Sequence, residues 1–452
     1  MKPSISRPSV SKPSRSNPSD PQLVEIEKPV SIEKPIYGGA FLARVEGKAV
    51  FIPLTLPGEQ ARIRIVEDKR GYASAEATEI VAPSVDRVTP ACQHFGACGG
   101  CDYQHANYDA QLRFKQVVLR ETLQRAQVHA PDEIALLSAN PWTYRNRIRL
   151  AFDAAGNPGY RTRRSHGIVP IAECPIAAPL LVRAAQTIAK VVRHASPGVQ
   201  LSELSLFCNA EETALLATLQ LARPAKINFD HLYRDLTQQI PEFKGAELTA
   251  EDRATRQPRT LACSGATSLA YRAAGFDYRV DHGAFFQVNR WLIDALVQKV
   301  IGNHRGALAW DLFAGVGLFA RQLASSFTRV VAVESASSAT AALAHNLNGT
   351  SAKAVNATTL DFLRRTHRTH INQSDRPDLI VVDPPRTGLG PETTTLLANI
   401  AAPALVYVSC DPATLARDLR ALLASGYTIE SITLADLFPQ TFHLETIVHL
   451  RR

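Results

Sequence analysis

Two side chains late in this 452-residue chain have types and settings suited to covalent chemistry. Cys410 closes the apolar run of "ALVYVSCDPATLARDL". Most free cysteines are small buried hydrophobes, but this one stands at the exit of a strand-like run and is followed by Asp411 and Pro412. A helix beginning near Ala413 would present its N-terminus to the thiol and lower its pKa. Glu445, in "FPQTFHLETIVHL", is an acid in an otherwise apolar final strand, where an unpaired carboxylate is costly unless it has a role. The competing reading of Glu445 is a plain surface position on an edge strand.

A thiolate and a base together suit methylation of a ring carbon such as C5 of a pyrimidine, which is too weak a nucleophile to attack a methyl sulfonium unaided. Thiolate addition to C6 makes C5 enolate-like. After methyl transfer a base must remove the C5 proton so that the thiolate can leave. Asp383 ends another apolar run in "VVDPPRTGL", where two prolines stiffen the loop and expose the carboxylate. The residue after those prolines is Arg386 instead of an aromatic ring, which argues against methylation of an exocyclic amine.

These residues need a scaffold that brings several strand ends to one edge. After about residue 277 the chain alternates strand-like and helix-length segments ("ALAWDLFAG", "RVVAVES", "PDLIVVDPP", "ALVYVSCDP"), the pattern of a parallel sheet with helices on both faces. The last two runs, "YTIESITLADLF" and "TFHLETIVHL", are joined too closely for a helical crossover and are expected to form an antiparallel hairpin at the sheet edge. "WDLFAGVGLFA" sets Gly315 and Gly317 in the turn after the first strand. The next strand ends in Glu334, seventeen residues after Gly317, where an acid can hold two ribose hydroxyls. The three-glycine dinucleotide fingerprint and the Gly-x-x-x-x-Gly-Lys-Ser/Thr loop are both missing, so S-adenosylmethionine, which needs no pyrophosphate cradle, fits better. Such a seven-stranded sheet with a terminal hairpin resembles the Rossmann-like methyltransferases.

Lys and Arg number 50 against 42 Asp and Glu, a net charge of +8 that permits a polyanionic partner such as RNA. No run approaches the ~18 apolar residues of a membrane span, and no apolar N-terminal segment reads as a secretory signal, so a cytoplasmic protein is expected. Residues 1–28 are a Pro/Ser-rich tail, with Pro-Ser at 3, 8, 13 and 18, expected to be disordered. Residues 29–82 read as a small antiparallel barrel with Arg62, Arg64, Lys69 and Arg70 on its exposed face. A cysteine-rich segment (83–104), a helix within 105–130, a central α+β domain (131–276) and the catalytic domain (277–452) follow.

Seven cysteines, odd in number and clustered, suit metal ligation or catalysis better than disulfides. Cys92, Cys98 and Cys101 lie in a Gly-rich loop that can wrap a compact inorganic centre, and Cys174 in "AECPIA" is the best fourth ligand. Cys208 and Cys263 read as packing residues, and four thiolates can also hold tetrahedral zinc. Nearby, "TYRNRIRLAFDAAGNPGYRTRRSH" holds six arginines. Arg145, Arg147 and Arg149 alternate along one strand face that could track phosphates, with Trp142, Tyr144 and Tyr160 available for stacking.

The segments "GAFFQVN", "DLFAGVGLF", "VVDPPRTGL", "VSCDPATLARDL" and "FPQTFHLETIV", in this order, resemble the RNA 5-methyluridine (uracil-C5) methyltransferases. "CQHFGACGGC" resembles the iron–sulfur branch of that family, which modifies 23S ribosomal RNA. The resemblance runs from about residue 29 to the C-terminus. It implies Cys410 as nucleophile and Glu445 as base, with Gln287, Phe313, Glu334 and Asp383 in the cofactor and uracil pocket. It also implies a [4Fe–4S] cluster in preference to zinc, and a barrel of the TRAM type, a small OB-like RNA-binding module. Relatives often carry a polar residue where this chain has Leu318. The implied substrate is 23S rRNA, with a tRNA uridine as the alternative, the base being flipped out or held in a loop. The chain is expected to act as a monomer. From another class, an iron–sulfur RNA-binding protein with a decayed methyltransferase fold is opposed by the intact set Gln287, Glu334, Asp383, Cys410 and Glu445.

Overall fold

The computed structural model describes residues 24–163, 165–252, 254–368 and 375–452. The Pro-Ser repeat of the tail lies outside the described residues. The chain divides into two compact units, one made of residues up to 34 with 40–85, the other of 35–39 with 86–452. In the smaller, β1 (Val24–Pro35), β2 (Ala40–Val45), β3 (Lys48–Pro53), β4 (Gln60–Asp68) and β5 (Tyr72–Ala82) close into a barrel in the order β1-β2-β3-β5-β4. Alternate residues fill it: Phe41, Ala43, Val50, Ile52, Ile63 and Ala75 are all buried. The first strand begins at Val24, inside the segment expected to be tail. The basic face is largely neutralised by the register of β4 against β5, which sets Arg62 opposite Glu79 and Arg64 opposite Glu76. Arg62 pairs with Glu79, Arg64 with Glu76 at 3.2 Å and Lys69 with Glu67 at 2.9 Å.

The segments expected as separate pieces after the barrel fall together, from residue 86 onward, in the larger unit. Its first helix, α1 (Tyr108–Arg125), starts at Asn107, whose side chain accepts from Ala110 N, and it buries Leu119 and Leu123 in one core with Trp310 and Tyr407. The short β6 (Ala135–Leu137) follows. A central sheet is then built from β7 (Arg147–Phe152), β8 (Pro158–Arg161), β9 (Ile168–Pro170), β10 (Leu201–Cys208), β11 (Leu215–Leu221), β12 (Phe243–Glu251) and β13 (Pro258–Gly265), in the order β13-β12-β11-β10-β7-β8-β9. Helices α2 (Pro179–Ala195) and α3 (Phe229–Gln239) cover one face, Leu181, Ile188, Leu232 and Leu236 packing with Leu204 and Leu219. The hairpin β14 (Ser268–Ala273) and β15 (Phe276–Asp281) straddles the boundary expected at 276 and buries Tyr271 and Tyr278 with Leu296 and Phe319, so it belongs to the catalytic core.

The C-terminal part runs α4 (Ile293–Ile301), β16 (Gly306–Leu312), α5 (Leu318–Leu323), β17 (Phe327–Glu334), α6 (Ser337–Leu347), β18 (Ala352–Asn356), α7 (Thr359–Arg368), β19 (Leu379–Val382), α8 (Gly390–Ile400), β20 (Ala404–Ser409), α9 (Pro412–Ala424), β21 (Thr428–Ala435) and β22 (Glu445–Arg451). All four residues of β19 are buried, as in a strand covered on both faces. Eight strands make the sheet, in the order β18-β17-β16-β19-β20-β22-β21-β6. The expected antiparallel pairing of β21 with β22 is present, with β22 between β20 and β21, but the pair is not the border of the sheet, because β6 adds in parallel beyond β21. Strand order reverses between β16 and β19, where an open α/β sheet leaves a crevice at its carboxyl edge. Among the described residues no helix is long and apolar enough to cross a membrane.

Leu434 is fully buried in β21, in one core with Ile432 and Val448. Leu434→Ala is expected to destabilise the unit by about 2–5 kcal/mol, read as a lower urea midpoint at unchanged m-value.

Candidate active site

Neighbouring strands deliver the expected residues to one edge. Leu312 at the end of β16 lies opposite Val333 of β17 and Val382 of β19, which brings the glycine turn, Glu334 and Asp383 together. Ser409 of β20 pairs with Thr446 of β22, so Cys410 and Glu445 stand on adjacent strands. Because β22 runs antiparallel, its first residue lies where the parallel strands have their last.

Phe313, Gly315 and Gly317 all have positive φ, at 69°, 56° and 92°. A Cβ on Gly315 would meet open space, whereas one on Gly317 would lie 2.8 Å from Leu343, so the first glycine faces the crevice and the second allows close helix packing. Glu334 accepts from Gly315 N at 2.8 Å through Oε2, and from Ser335 N at 2.7 Å and Ala336 N at 2.6 Å through Oε1. Each oxygen keeps accepting capacity for a hydroxyl. Beneath the turn, Asp311 Oδ2 accepts from Ala320 N at 2.8 Å, while Oδ1 is buried with no hydrogen-bond partner among the described residues. Burial, then Asp383 and Glu334, push the Asp311 carboxyl up to about 7. An orphaned acid below an open turn fits a ligand bearing donors and positive charge, as S-adenosylmethionine does. Leu318 is buried in the core beside Leu343, so it supplies no polar contact to the crevice. Gln287 is also buried, its backbone carbonyl accepting from Asn146 Nδ2 at 2.9 Å. Phe285 and Trp291, in the same segment, are exposed.

The thiol differs from expectation. Burial pushes Cys410 up to about 12, Glu445 and Asp383 act the same way, and Arg386 opposes them. Helix α9 does begin at Pro412, but the Asp411 side chain accepts from Ala413 N and Thr414 N, both at 3.0 Å, so the helix N-terminus is occupied by its own cap. Burial, then Asp383, holds Glu445 well above the usual carboxylate range, against Arg386. Asp383 is itself raised by burial to about 7.

Three groups here were not assigned to the site from the sequence. Arg386 faces both Cys410 and Glu445, and its Nη2 lies 3.1 Å from His443 Nδ1. Burial, then Arg386, pushes His443 down to about 4, so the neutral ring can accept. The Tyr37 hydroxyl donates to Asp411 Oδ2 at 3.0 Å. Arg386 was legible as the residue after Pro-Pro, whereas nothing in the sequence around Tyr37 links it to a residue 374 positions away.

Cys92, Cys98, Cys101 and Cys174 line one cavity of about 300 Å³, with His94, Arg145 and Tyr160. Burial raises Cys98, with Cys174 and Cys92 adding to it, and pushes Cys101 up to about 12. His94 Nε2 is buried there with no hydrogen-bond partner among the described residues. Among the described residues no group of three or more His, Cys, Asp or Glu side chains is arranged to hold a metal ion. Cys208 is buried as expected of packing, but Cys263 is exposed on β13.

The arginine stripe is not an open phosphate track. The Arg145 guanidinium lies 5.6 Å and 5.7 Å from the Tyr144 and Phe438 ring centroids, and Arg147 donates to Ala284 O at 2.6 Å while lying 4.5 Å over Phe207. Strand alternation does align them, but other side chains cover that face, and Arg149 is the exposed member, paired with Glu203 at 2.5 Å. Tyr144 is fully buried, its hydroxyl donating to Pro439 O at 3.1 Å, so it is closed to base stacking.

A family model described as tRNA (Uracil-5-)-methyltransferase matches residues 264–452, and a TRAM domain model matches 22–78. The chain is 33% identical to an uncharacterized RNA methyltransferase of Streptomyces avermitilis over 94% of this chain and 98% of that one. It is 32% identical to a 23S rRNA (uracil(1939)-C(5))-methyltransferase of Pectobacterium atrosepticum over 90% of each. The chain belongs to the RNA uracil-C5-methyltransferase family. The structure of a tRNA (uracil-54, C5)-methyltransferase from Pyrococcus abyssi with S-adenosyl-L-homocysteine is 24% identical, with a TM-score of 0.74 over 93% of this chain and 100% of that one, so the fold is shared along nearly the whole length.

A thiol raised to about 12 gains thiolate continuously as pH rises through neutrality. Alkylation of Cys410 by iodoacetamide in the ligand-free protein, followed by peptide mass spectrometry, is expected to speed up about tenfold per pH unit from pH 7 to 10. A plateau below pH 8 would contradict the raised thiol.

Proposed function

We propose that this family member methylates C5 of a uridine in 23S ribosomal RNA, as a cytoplasmic monomer, through a covalent Cys410–C6 adduct that Glu445 resolves. The observation that carries the reading is the pairing of Ser409 with Thr446, which sets nucleophile and base side by side at the edge reached by Gly315, Glu334 and Asp383. Phe313, Gly315, Gly317, Glu334, Gln287 and Asp383 are the residues assigned to hold S-adenosylmethionine. When bound, it supplies the methyl group and a positive charge that offsets the acids around the thiol. Arg386 favours the anionic forms of both Cys410 and Glu445. The Cys410 sulfur bonds to C6 and electron density moves to C5. Once C5 carries the methyl group, Glu445 takes the C5 proton and the C6–S electrons return to Cys410. A carboxyl held above its ordinary range is the stronger base for that step.

Ribosomal RNA is favoured over tRNA because relatives named as 23S rRNA enzymes are 30–32% identical across about nine-tenths of their length. RNA incorporating 5-fluorouridine at the target is expected to trap a denaturant-stable adduct, and Cys410→Ala to abolish it; an adduct that persists in Cys410→Ala removes the nucleophile assignment. Mapping of 5-methyluridine in a deletion strain is expected to show the loss in 23S rRNA, and a loss confined to tRNA would overturn the rRNA reading.

The reading extends to a [4Fe–4S] cluster on Cys92, Cys98, Cys101 and Cys174. A cavity of about 300 Å³ is roomy for a single ion, and the four cysteines that line it are of the residue type that holds an iron–sulfur cluster. Its role is structural, since the methyl transfer moves no net electron. Protein purified without oxygen is expected to be brown, with iron and acid-labile sulfide in equal amounts, whereas a colourless protein with stoichiometric zinc would replace the cluster by zinc.

A further inference from the structure

The nine residues from Asp436 to Leu444 join β21 to β22 and deliver Glu445, yet they have no regular secondary structure. Loops usually lie on the surface because their backbone polar groups need water. This one is buried: Asp436, Leu437, Gln440, Thr441 and Leu444 are each at most 2% exposed. Gln440 also holds a positive φ of 69°, a conformation that persists in a non-glycine residue when its surroundings enforce it.

Those surroundings come from α1 and from the residues just after Cys101. Lys115 Nζ donates to Asp436 Oδ1 at 2.6 Å and to Phe438 O at 2.9 Å, an ion pair whose side chains are 1% and 0% exposed. The Gln111 carboxamide meets Gln440 twice, donating to its Oε1 at 2.9 Å and accepting from its backbone N at 3.0 Å. Asp102 N and Tyr103 N donate to Gln440 O at 2.9 Å and 3.0 Å, and Phe442 N donates to Asp102 Oδ2 at 3.3 Å. A surface loop would need none of this.

We propose that α1 and residues 102–103 form a brace that positions Glu445 for removal of the C5 proton, with Lys115, Gln111 and Asp102 as positioning residues that never touch the RNA. The inference rests on Glu445 being the base. In the step affected, the C5–H proton goes to the Glu445 carboxylate, the C–H electrons form the C5–C6 double bond, and the C6–S pair leaves on Cys410. A loosened loop therefore stalls the enzyme after methyl transfer, as a methylated covalent complex, and leaves the earlier steps intact.

The test uses full-length enzyme and an RNA with ordinary uridine that the wild type methylates. Denaturing gels read the covalent complex beside turnover and S-adenosylmethionine affinity. Glu445→Gln is expected to accumulate the complex; if it turns over normally, the base assignment and the brace fall together. Gln440→Gly relieves the positive φ and removes the side-chain half of the Gln111 link, leaving the donation from the backbone N in place. It is expected to lower turnover about tenfold and accumulate the complex, with cofactor affinity within about twofold of wild type. Lys115→Met is expected to do the same, and should it not fold, Gln440→Gly decides. If Glu445→Gln accumulates the complex but Gln440→Gly shows turnover and complex falling together, or no change, the base stands and the brace is refuted.

Discussion

A largely buried strand edge carrying several acids beside a thiol is the constraint on which the rest of the structure depends. Asp311, Asp383 and Glu445 are all raised above their ordinary range, chiefly by burial. Neighbouring buried carboxyls cannot all ionise at little cost, so a cation brought among them favours their charged forms. The edge therefore suits a positively charged ligand, whose charge would also favour the Cys410 thiolate that Glu445 and Asp383 disfavour. Arg386 sets a partial counterweight, its charge favouring the anions of both Cys410 and Glu445.

The antiparallel last strand follows from the same demand. A wholly parallel sheet offers only carboxyl ends at its active edge, each followed by a loop. Running β22 backwards lets the first residue of a strand, and not a loop, stand at that edge, with β20 and β21 on either side of the strand. Glu445 opens β22 and pairs with Ala435 of β21, while its neighbour Thr446 pairs with Ser409 of β20. The glycine turn opposite is built otherwise, with Gly315 open to the crevice and Gly317 packed on Leu343, so that one face of the edge yields to a ligand while the other stays rigid.

Much of this was legible in the sequence where the signal is local. Apolar runs ending in "DPPR" and "SCDP", and the glycines before Glu334, announce strand exits and turns within a few residues, and the sheet follows from their alternation. What was not legible depends on partners far along the chain. The pairing of Arg62 and Arg64 with Glu79 and Glu76 is fixed by a strand register, and the covering of Arg145 and Arg147 by Phe438 and Phe207. The thiol was misread for another reason. A helix N-terminus beside a cysteine is a local cue, but Asp411 takes up that N-terminus and burial then decides the sign.

The short strand β6 carries a last consequence. It joins the catalytic sheet by pairing Ala135 with Thr433, about 300 residues later, and the whole central sheet lies between them in the chain. The methyltransferase sheet is therefore not an autonomous folding module that begins where its family pattern begins. Its outer border is laid down before the central region is synthesised and finds its place only when nearly all the chain has emerged. Non-local pairing of this kind is slow and leaves a strand edge exposed meanwhile. Severing the C-terminal half as a minimal enzyme would strip that border from β21, the strand that supports Glu445, and leave an open edge prone to pair with other chains.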